Sequence, residues 1–317
     1  MRCGATVRHN RRMLRRALTW CLYPAALAGA LVTTWALMRR GVAPEAAVSG
    51  VSLVAGFTLY ALQFVHPAHR EWRGVTARGF GLDLVHAVVS MGGSTGLFKA
   101  LCFGALAAAS AHLSGALGGS LWPSQWPVAL QLALALVLGE LGSYWVHRLS
   151  HEHTPLWRIH GLHHSSEQLH MLSAGRNHPF SVIASYGAQM TPLILMGAGG
   201  EVIALQSVFS GVHGLLQHAN VHMRTGWLSW ILSTPELHHW HHSRVIAESD
   251  HNYGSNLVFW DVVFGSRYLP ADRPPPSDVG LPQGSRFPQS FVGHMLSPFT
   301  WPRWAPPKPT QPTQPVS

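Results

Sequence analysis

The chain has 317 residues, of which 47% are hydrophobic and only 11% charged, and a formal net charge of +9. A soluble enzyme of this size would carry about 25% charged residues, so the composition argues against a soluble protein and for one embedded in a membrane. The basic excess is concentrated at Arg2, Arg8, Arg11, Arg12, Arg15 and Arg16, ahead of any acid; before an apolar run this reads as a cytoplasmic topology anchor, with no nucleic acid expected as partner.

Ala17 to Met38 is a 22-residue apolar run between paired arginines, long enough to span a bilayer and too long for a cleaved signal peptide. Ala46 to Val65 makes a second span. The connector that follows carries Arg70, Arg73 and Arg78, which places it on the cytoplasmic side. In Leu82 to Leu117 a break is expected at Gly92-Gly93, giving an in-plane or re-entrant piece and then a span from about Leu97. Asp83 and His86 read as groups solvated at the interface. After a Pro/Trp/Gly-rich turn, Val128 to Val146 forms a further span that runs directly into His147. Phe180 to Gln217 supplies a hairpin of two apolar segments, parted near Pro192 and Gly197 to Gly200. An even number of crossings keeps every histidine block on the side of the Arg-rich N-terminus. The tail from Pro270 holds 13 of the 22 prolines, and 305–317 is expected to be disordered. Cys3, Cys21 and Cys102 form neither a CxxC pair nor a disulfide framework.

The stretch from His147 to His242 holds 15 of the 22 histidines. They fall into four blocks: His147 and His151; His160, His163 and His164; His218 and His222; His238, His239, His241 and His242. Offsets of three and four place imidazoles on one helix face. Four such faces aimed at one volume would deliver ten ring nitrogens, which suits a pair of transition-metal ions better than one tetrahedral zinc. A loose histidine-rich metal sponge is the bland alternative, but the intervening sequence is not of low complexity. Glu140 and Tyr144 share a stripe with His147 and His151. A carboxylate inside an apolar helix needs a partner, so Glu140 or Tyr144 is expected to hydrogen-bond a ligand's free ring nitrogen, the alternative being that Glu140 faces a polar group of another helix.

The blocks HxxxH, HxxHH, HxxxH and HxxHH between apolar spans resemble the fatty acid hydroxylase/sterol desaturase superfamily of integral-membrane, non-haem di-iron enzymes, in its bacterial form. Leu162-His163-His164-Ser165-Ser166-Glu167, Trp230 to Pro235, and Asn252-Tyr253-Gly254 leading to Trp260-Asp261-Val262-Val263-Phe264-Gly265 are similar to that family. The resemblance runs from about Glu140 to Leu269. It implies an all-α, multi-span membrane bundle with a cytoplasmic-face, histidine-rich di-metal domain. The divisions expected are 1–127 for the first spans, 128–270 for the catalytic unit and 271–317 for the tail. Carried over, the metal ligands are His147, His151, His160, His163, His164, His218, His222, His238, His241 and His242; His238 is preferred to His239 because it completes the offset of three and four. His178 is a candidate beside the ligands or along the substrate path. Two iron ions with O2 as co-substrate would hydroxylate or desaturate a C–H bond of a membrane lipid. No cofactor motif for electron supply occurs in the chain, so a separate reductase with a ferredoxin or cytochrome is implied. The rivals are a non-redox membrane metal-binding or transport protein, and a metal-dependent hydrolase using Glu167 or Glu236 as base.

Overall fold

The computed structural model describes residues 2–74 and 77–301, with backbone alone for 2–12, 73–74 and 77–78; the tail expectation for 305–317 lies outside the described residues. The architecture is all-α. Among the described residues there is no β-strand, only two isolated bridges, Leu232 with Leu257 and Ser243 with Val279.

Among the described residues, four helices are long and apolar enough to cross a membrane: Met13–Arg39, Pro44–Val65, Gly79–Leu117 and Val128–Glu152. The first belongs to α1 (Arg2–Arg39), the second is α2 (Pro44–Val65) and the fourth is α5 (Val128–Glu152). Leu53, Val54, Phe57 and Leu101 are exposed along them, as lipid-facing side chains are. The third is continuous, which corrects the expected break at Gly92-Gly93. α3 (Ala77–Val85) passes into a π-helical stretch, His86–Gly93, and then into α4 (Ser94–Leu117). Gly93 and Ser94 keep helical dihedrals (φ −62° and −69°), so the two glycines widen the helix instead of ending it.

Asp83 and His86 are also not solvated. Asp83 is fully buried in ion pairs with Arg176 (2.5 Å) and His170 (2.8 Å), and His86 meets Ser90 and His294, each at 2.9 Å. A buried charge persists only when paired in this way.

α7 (Pro179–Met196) and α8 (Gly200–His218) form the expected hairpin, turning at Gly197 (φ +87°); Pro192 stays inside α7. Neither is among the four apolar spans. A buried cluster that includes Tyr23, Leu27, Leu59, Leu136, Val208, Phe209, Val212 and Leu216 packs α1, α2, α5 and α8 together. A second, with Ala135, Met190, Leu193 and Ile194, packs α5 on α7. There α5 approaches so closely that a Cβ on Gly142 would collide with the Ala188 carbonyl oxygen. The remaining helices are short: α6 (Thr154–His160), α9 (Pro235–His241), α10 (Ile246–Ser249), α11 (Phe259–Val263) and α12 (Phe291–Thr300). With their loops they gather at the ends of α5 and α8, where every histidine block lies.

Candidate metal centre

α5 runs past its apolar part for a further turn and a half, and so carries His147 and His151 on one face. α6 ends on His160, and a 3-10 turn at His163–Ser165 follows at once. α8 ends on His218, while α9 presents His238 and His241 and is capped by His242. These elements bring nine imidazoles into two groups. The first holds His147, His151, His160, His164 and His241; the second holds His163, His218, His238 and His242. Within each group the candidate ligand atoms lie within 4.8 Å of one another. Consecutive residues serve different groups: His163 and His164 point into opposite ones, as do His241 and His242. His164 and His242 join the groups, with ring centroids 4.6 Å apart.

The tautomers follow from the partners. His147 Nδ1 donates to the Tyr253 carbonyl (2.7 Å), His241 Nδ1 to the His251 carbonyl (2.8 Å) and His163 Nδ1 to the Arg176 carbonyl (3.3 Å). His151 Nδ1 donates to the Asp250 carboxylate (3.0 Å). The Ser173 hydroxyl donates to the His170 carbonyl, so its oxygen accepts from His218 Nδ1 at 3.0 Å. Five rings thus hold their proton on Nδ1 and turn an Nε2 lone pair inward, the arrangement a metal requires.

The Nε2 atoms converge accordingly. His147 and His160 are 3.0 Å apart and His151 and His164 3.1 Å; in the second group His218 and His238 are 2.8 Å apart and His238 and His242 3.1 Å. Two nitrogens each about 2.1 Å from one ion lie about 3.0 Å apart at a right angle and about 3.4 Å apart at a tetrahedral one. The spacing therefore fits neighbouring positions around ions of five or six ligands, and an all-imidazole donor set suits a first-row transition metal. Burial, with neighbouring imidazoles, pushes His163 down to about 3 and holds His164, His238 and His242 well below the ordinary histidine value. Neutral rings with available lone pairs are therefore the state near neutral pH.

His222 is in neither group. The helix stops at His218, and Ala219 takes extended dihedrals (φ −63°, ψ 128°), so the offset of four no longer keeps one face. His222 is exposed and contacts Thr19 (3.2 Å) instead. His239 also stands outside both groups, buried against His69 and Trp72. Glu140 and Tyr144 do not touch a ligand nitrogen. Glu140 is fully buried and accepts from the backbone N–H groups of Ser255 and Asn256 and from Asn256 Nδ2. Tyr144 bonds the Ser266 hydroxyl at 2.8 Å. Glu140 acts at one remove, by holding the loop whose Tyr253 carbonyl orients His147, and Tyr144 reaches that loop through Ser266 and Asp261. His178 caps α7, accepting from Phe180 N, and its Nε2 reaches the Met295 carbonyl.

Other positioning groups become visible only in three dimensions. Asp250 orients His151. Asp261 accepts from Tyr253 N (2.7 Å), Gly254 N (2.8 Å) and the Ser266 hydroxyl (2.7 Å), and burial pushes its carboxyl up to about 6. Asn252, the one described non-glycine residue with positive φ (57°), bonds Leu237 and Tyr268 to shape the same loop. The Asn252-Tyr253-Gly254 string and Asp261 stand out in the sequence; Asp250 and Ser173 carry no local signal.

A cavity of about 480 Å³ meets both groups, at His147 and His160 of the first and at His163, His218 and His238 of the second. It extends between α5, α7 and α8 as far as Gln206, which lies 12 residues (218 − 206) before His218, or about 18 Å along the helix. Its walls include Ser143, Ser181, Ser185, Tyr186, Gln189 and Ser210, with Met91 from the π-helical stretch. Gln206 Oε1 and the Tyr186 hydroxyl are buried there without a hydrogen-bond partner among the described residues.

Residues 132–266 match the fatty acid hydroxylase family. The ornithine lipid hydroxylase OlsE of Rhizobium tropici is 42% identical over 165 residues, covering 52% of this chain and 49% of that protein. Alkylglycerol monooxygenases are more distant: the human and Xenopus tropicalis proteins are each 34% identical over 40% of this chain and 28% of their own length. The match thus spans half or less of these relatives. No solved structure matches the chain.

Proposed function

We propose, from the match of residues 132–266 to the fatty acid hydroxylase family, that the chain is an O2-dependent hydroxylase of a membrane lipid, using two iron ions and electrons from a separate reductase by way of a ferredoxin or cytochrome. One observation carries this reading: nine buried or half-buried imidazoles, in two adjoining groups, open on a single cavity long enough for a lipid chain. His147, His151, His160, His164 and His241 would hold one ion, and His163, His218, His238 and His242 the other.

When bound, the irons supply O2 activation; one oxygen atom enters a C–H bond and the other leaves as water, with two electrons and two protons consumed. The chain's own groups do the rest. The carbonyls of Tyr253, His251 and Arg176 and the Asp250 carboxylate fix the protons of His147, His241, His163 and His151 on Nδ1. The closely packed end of α5 and the loop at 253–256 exclude water from that side, and the cavity positions a lipid C–H against the histidines. The relatives, a lipid hydroxylase and monooxygenases, favour hydroxylation over desaturation. Arg15 and Arg16 lie at the start of the apolar span Met13–Arg39, the end of that span which meets His222, and this supports a cytoplasmic centre in a bacterial inner membrane.

The test is untargeted lipid mass spectrometry on cells with and without the protein, comparing wild type with His163→Ala. A lipid heavier by one oxygen with wild type alone is the expected result. A lipid lighter by two hydrogens would replace hydroxylation with desaturation. No changed lipid, in cells that also supply a reductase and ferredoxin, together with purified protein free of iron, would sink the reading in favour of non-redox metal binding or transport.

A further inference from the structure

His222 has the spacing of a metal ligand but a different setting. It lines a second concavity, of about 340 Å³, with Arg15, Arg16, Thr19, His66 and Arg70. The site is built from three separate segments. The Thr19 hydroxyl donates to the Arg15 carbonyl (2.9 Å), so its oxygen accepts from His66 Nε2 (3.1 Å) and His222 Nδ1 (3.2 Å). Backbone bonds lock the same segments: His222 N to the His66 carbonyl (2.9 Å) and Arg224 N to the Thr19 carbonyl (2.7 Å).

The charge in this pocket is unbalanced. Arg15, Arg16 and Arg70 are exposed, and among the described residues none of them forms an ion pair. The nearby carboxylates are engaged elsewhere: Glu236 holds Thr225, and Glu71 pairs with His69 at 3.3 Å. Among the described residues, no carboxylate lines the concavity. The surroundings are apolar, because the pocket sits where two spans end. Leu14 (62% exposed), Val65 (65%) and Phe64 (50%) flank it. Three guanidiniums around a hollow the size of a small-ligand pocket, rimmed by side chains that face hydrocarbon, call for an anion carried on an apolar tail.

We propose that Arg15, Arg16 and Arg70, with His66 and His222 behind them, bind the phosphate of an anionic membrane lipid. The site is separate from the two histidine groups and does not depend on their metal or their chemistry. It places a phosphate one helical turn's length of chain beyond His218, on the segment 219–225 that pins α1 to α2.

Native mass spectrometry of the full-length protein in detergent, titrated with phosphatidylglycerol or phosphatidylcholine, tests this. Wild type is expected to retain phosphatidylglycerol preferentially, and that preference to fall by roughly fivefold for each guanidinium removed in Arg15→Gln and Arg15→Gln/Arg70→Gln. Arg39→Gln/Arg40→Gln removes the same charge at the far end of α1 and is expected to leave the preference unchanged. The Arg15→Lys variant should retain most of it, which separates lost charge from lost structure. Equal retention by wild type and Arg15→Gln/Arg70→Gln, or equal loss in the Arg39/Arg40 control, would overturn the site. Displacement of the lipid by millimolar inorganic phosphate would reassign the pocket to a soluble anion.

Discussion

Each imidazole in the two groups has two nitrogens, and for five of them the protein occupies one itself. Nδ1 donates to a carbonyl, a carboxylate or a serine oxygen, and the lone pair left on Nε2 has a direction set by that bond. His242 Nε2 lies 3.1 Å from that of His238, inside the second group, whereas His222 gives its Nδ1–H to Thr19 at the protein's edge. Purified His242→Ala should therefore lose about half of the bound metal, and His222→Ala should keep the wild-type amount; elemental analysis reads both. Equal losses would restore His222 as a ligand. At this scale the sequence was informative wherever the helix assumed by the spacing exists. The offsets of three and four locate His147 with His151 and His238 with His241 and His242, because α5 and α9 continue through them. They fail at His222 because α8 ends at His218, and Asn220 is the one residue between them that hints at the stop, a weaker signal than glycine or proline.

α5 is the element that joins the apolar bundle to the histidines, and Glu140 is its anchor to the loop at 253–256. A buried carboxylate with three N–H partners is a strong bond set, and replacing it with an amide leaves a donor facing donors. Glu140→Gln should lower stability by about 1.5–3 kcal/mol and weaken metal retention at the first group by misplacing the Tyr253 carbonyl. Thermal unfolding and metal content check the two effects. A variant as stable and as metal-rich as wild type would mean that the loop holds itself. That Glu140 needed a partner was legible from a lone acid in an apolar helix. Which partner was not, since Ser255 and Asn256 lie more than a hundred residues away and two of the three donors are backbone N–H groups, which carry no sequence signature. The same blindness explains the third span. Gly92-Gly93 is a fair break signal locally, but Gly175 and its neighbours pack on Ala87 and hold the widened helix in one piece.

On the scale of the whole molecule, the first spans are part of the centre's scaffold. Arg176, whose carbonyl orients His163, is itself held by Asp83, and Tyr23 bonds His213 at 2.6 Å, which in turn reaches the Ser255 carbonyl. Residues 128–270 produced alone should consequently bind little metal at the second group, and co-expression with 1–127 should recover it; full loading of the isolated piece would show that the early helices are dispensable. The bundle and its membrane character were legible from composition and run lengths, because hydrocarbon imposes one rule on every span. The contacts that reach from span to centre were not, because they depend on which polar residue inside a span faces which loop. The order of ligands along the chain has a temporal meaning as well. Each group draws on both ends of the histidine stretch, the first from His147 to His241 and the second from His163 to His242. A ribosome adding about 5–20 residues per second takes roughly 5–20 s to pass from the first of these to the last. Throughout that interval the nascent chain displays incomplete sets of imidazole donors beside the membrane. Neither set closes until the final pair emerges, and then both close within a single residue of synthesis, so the two ions would be admitted together and late, into a bundle already inserted.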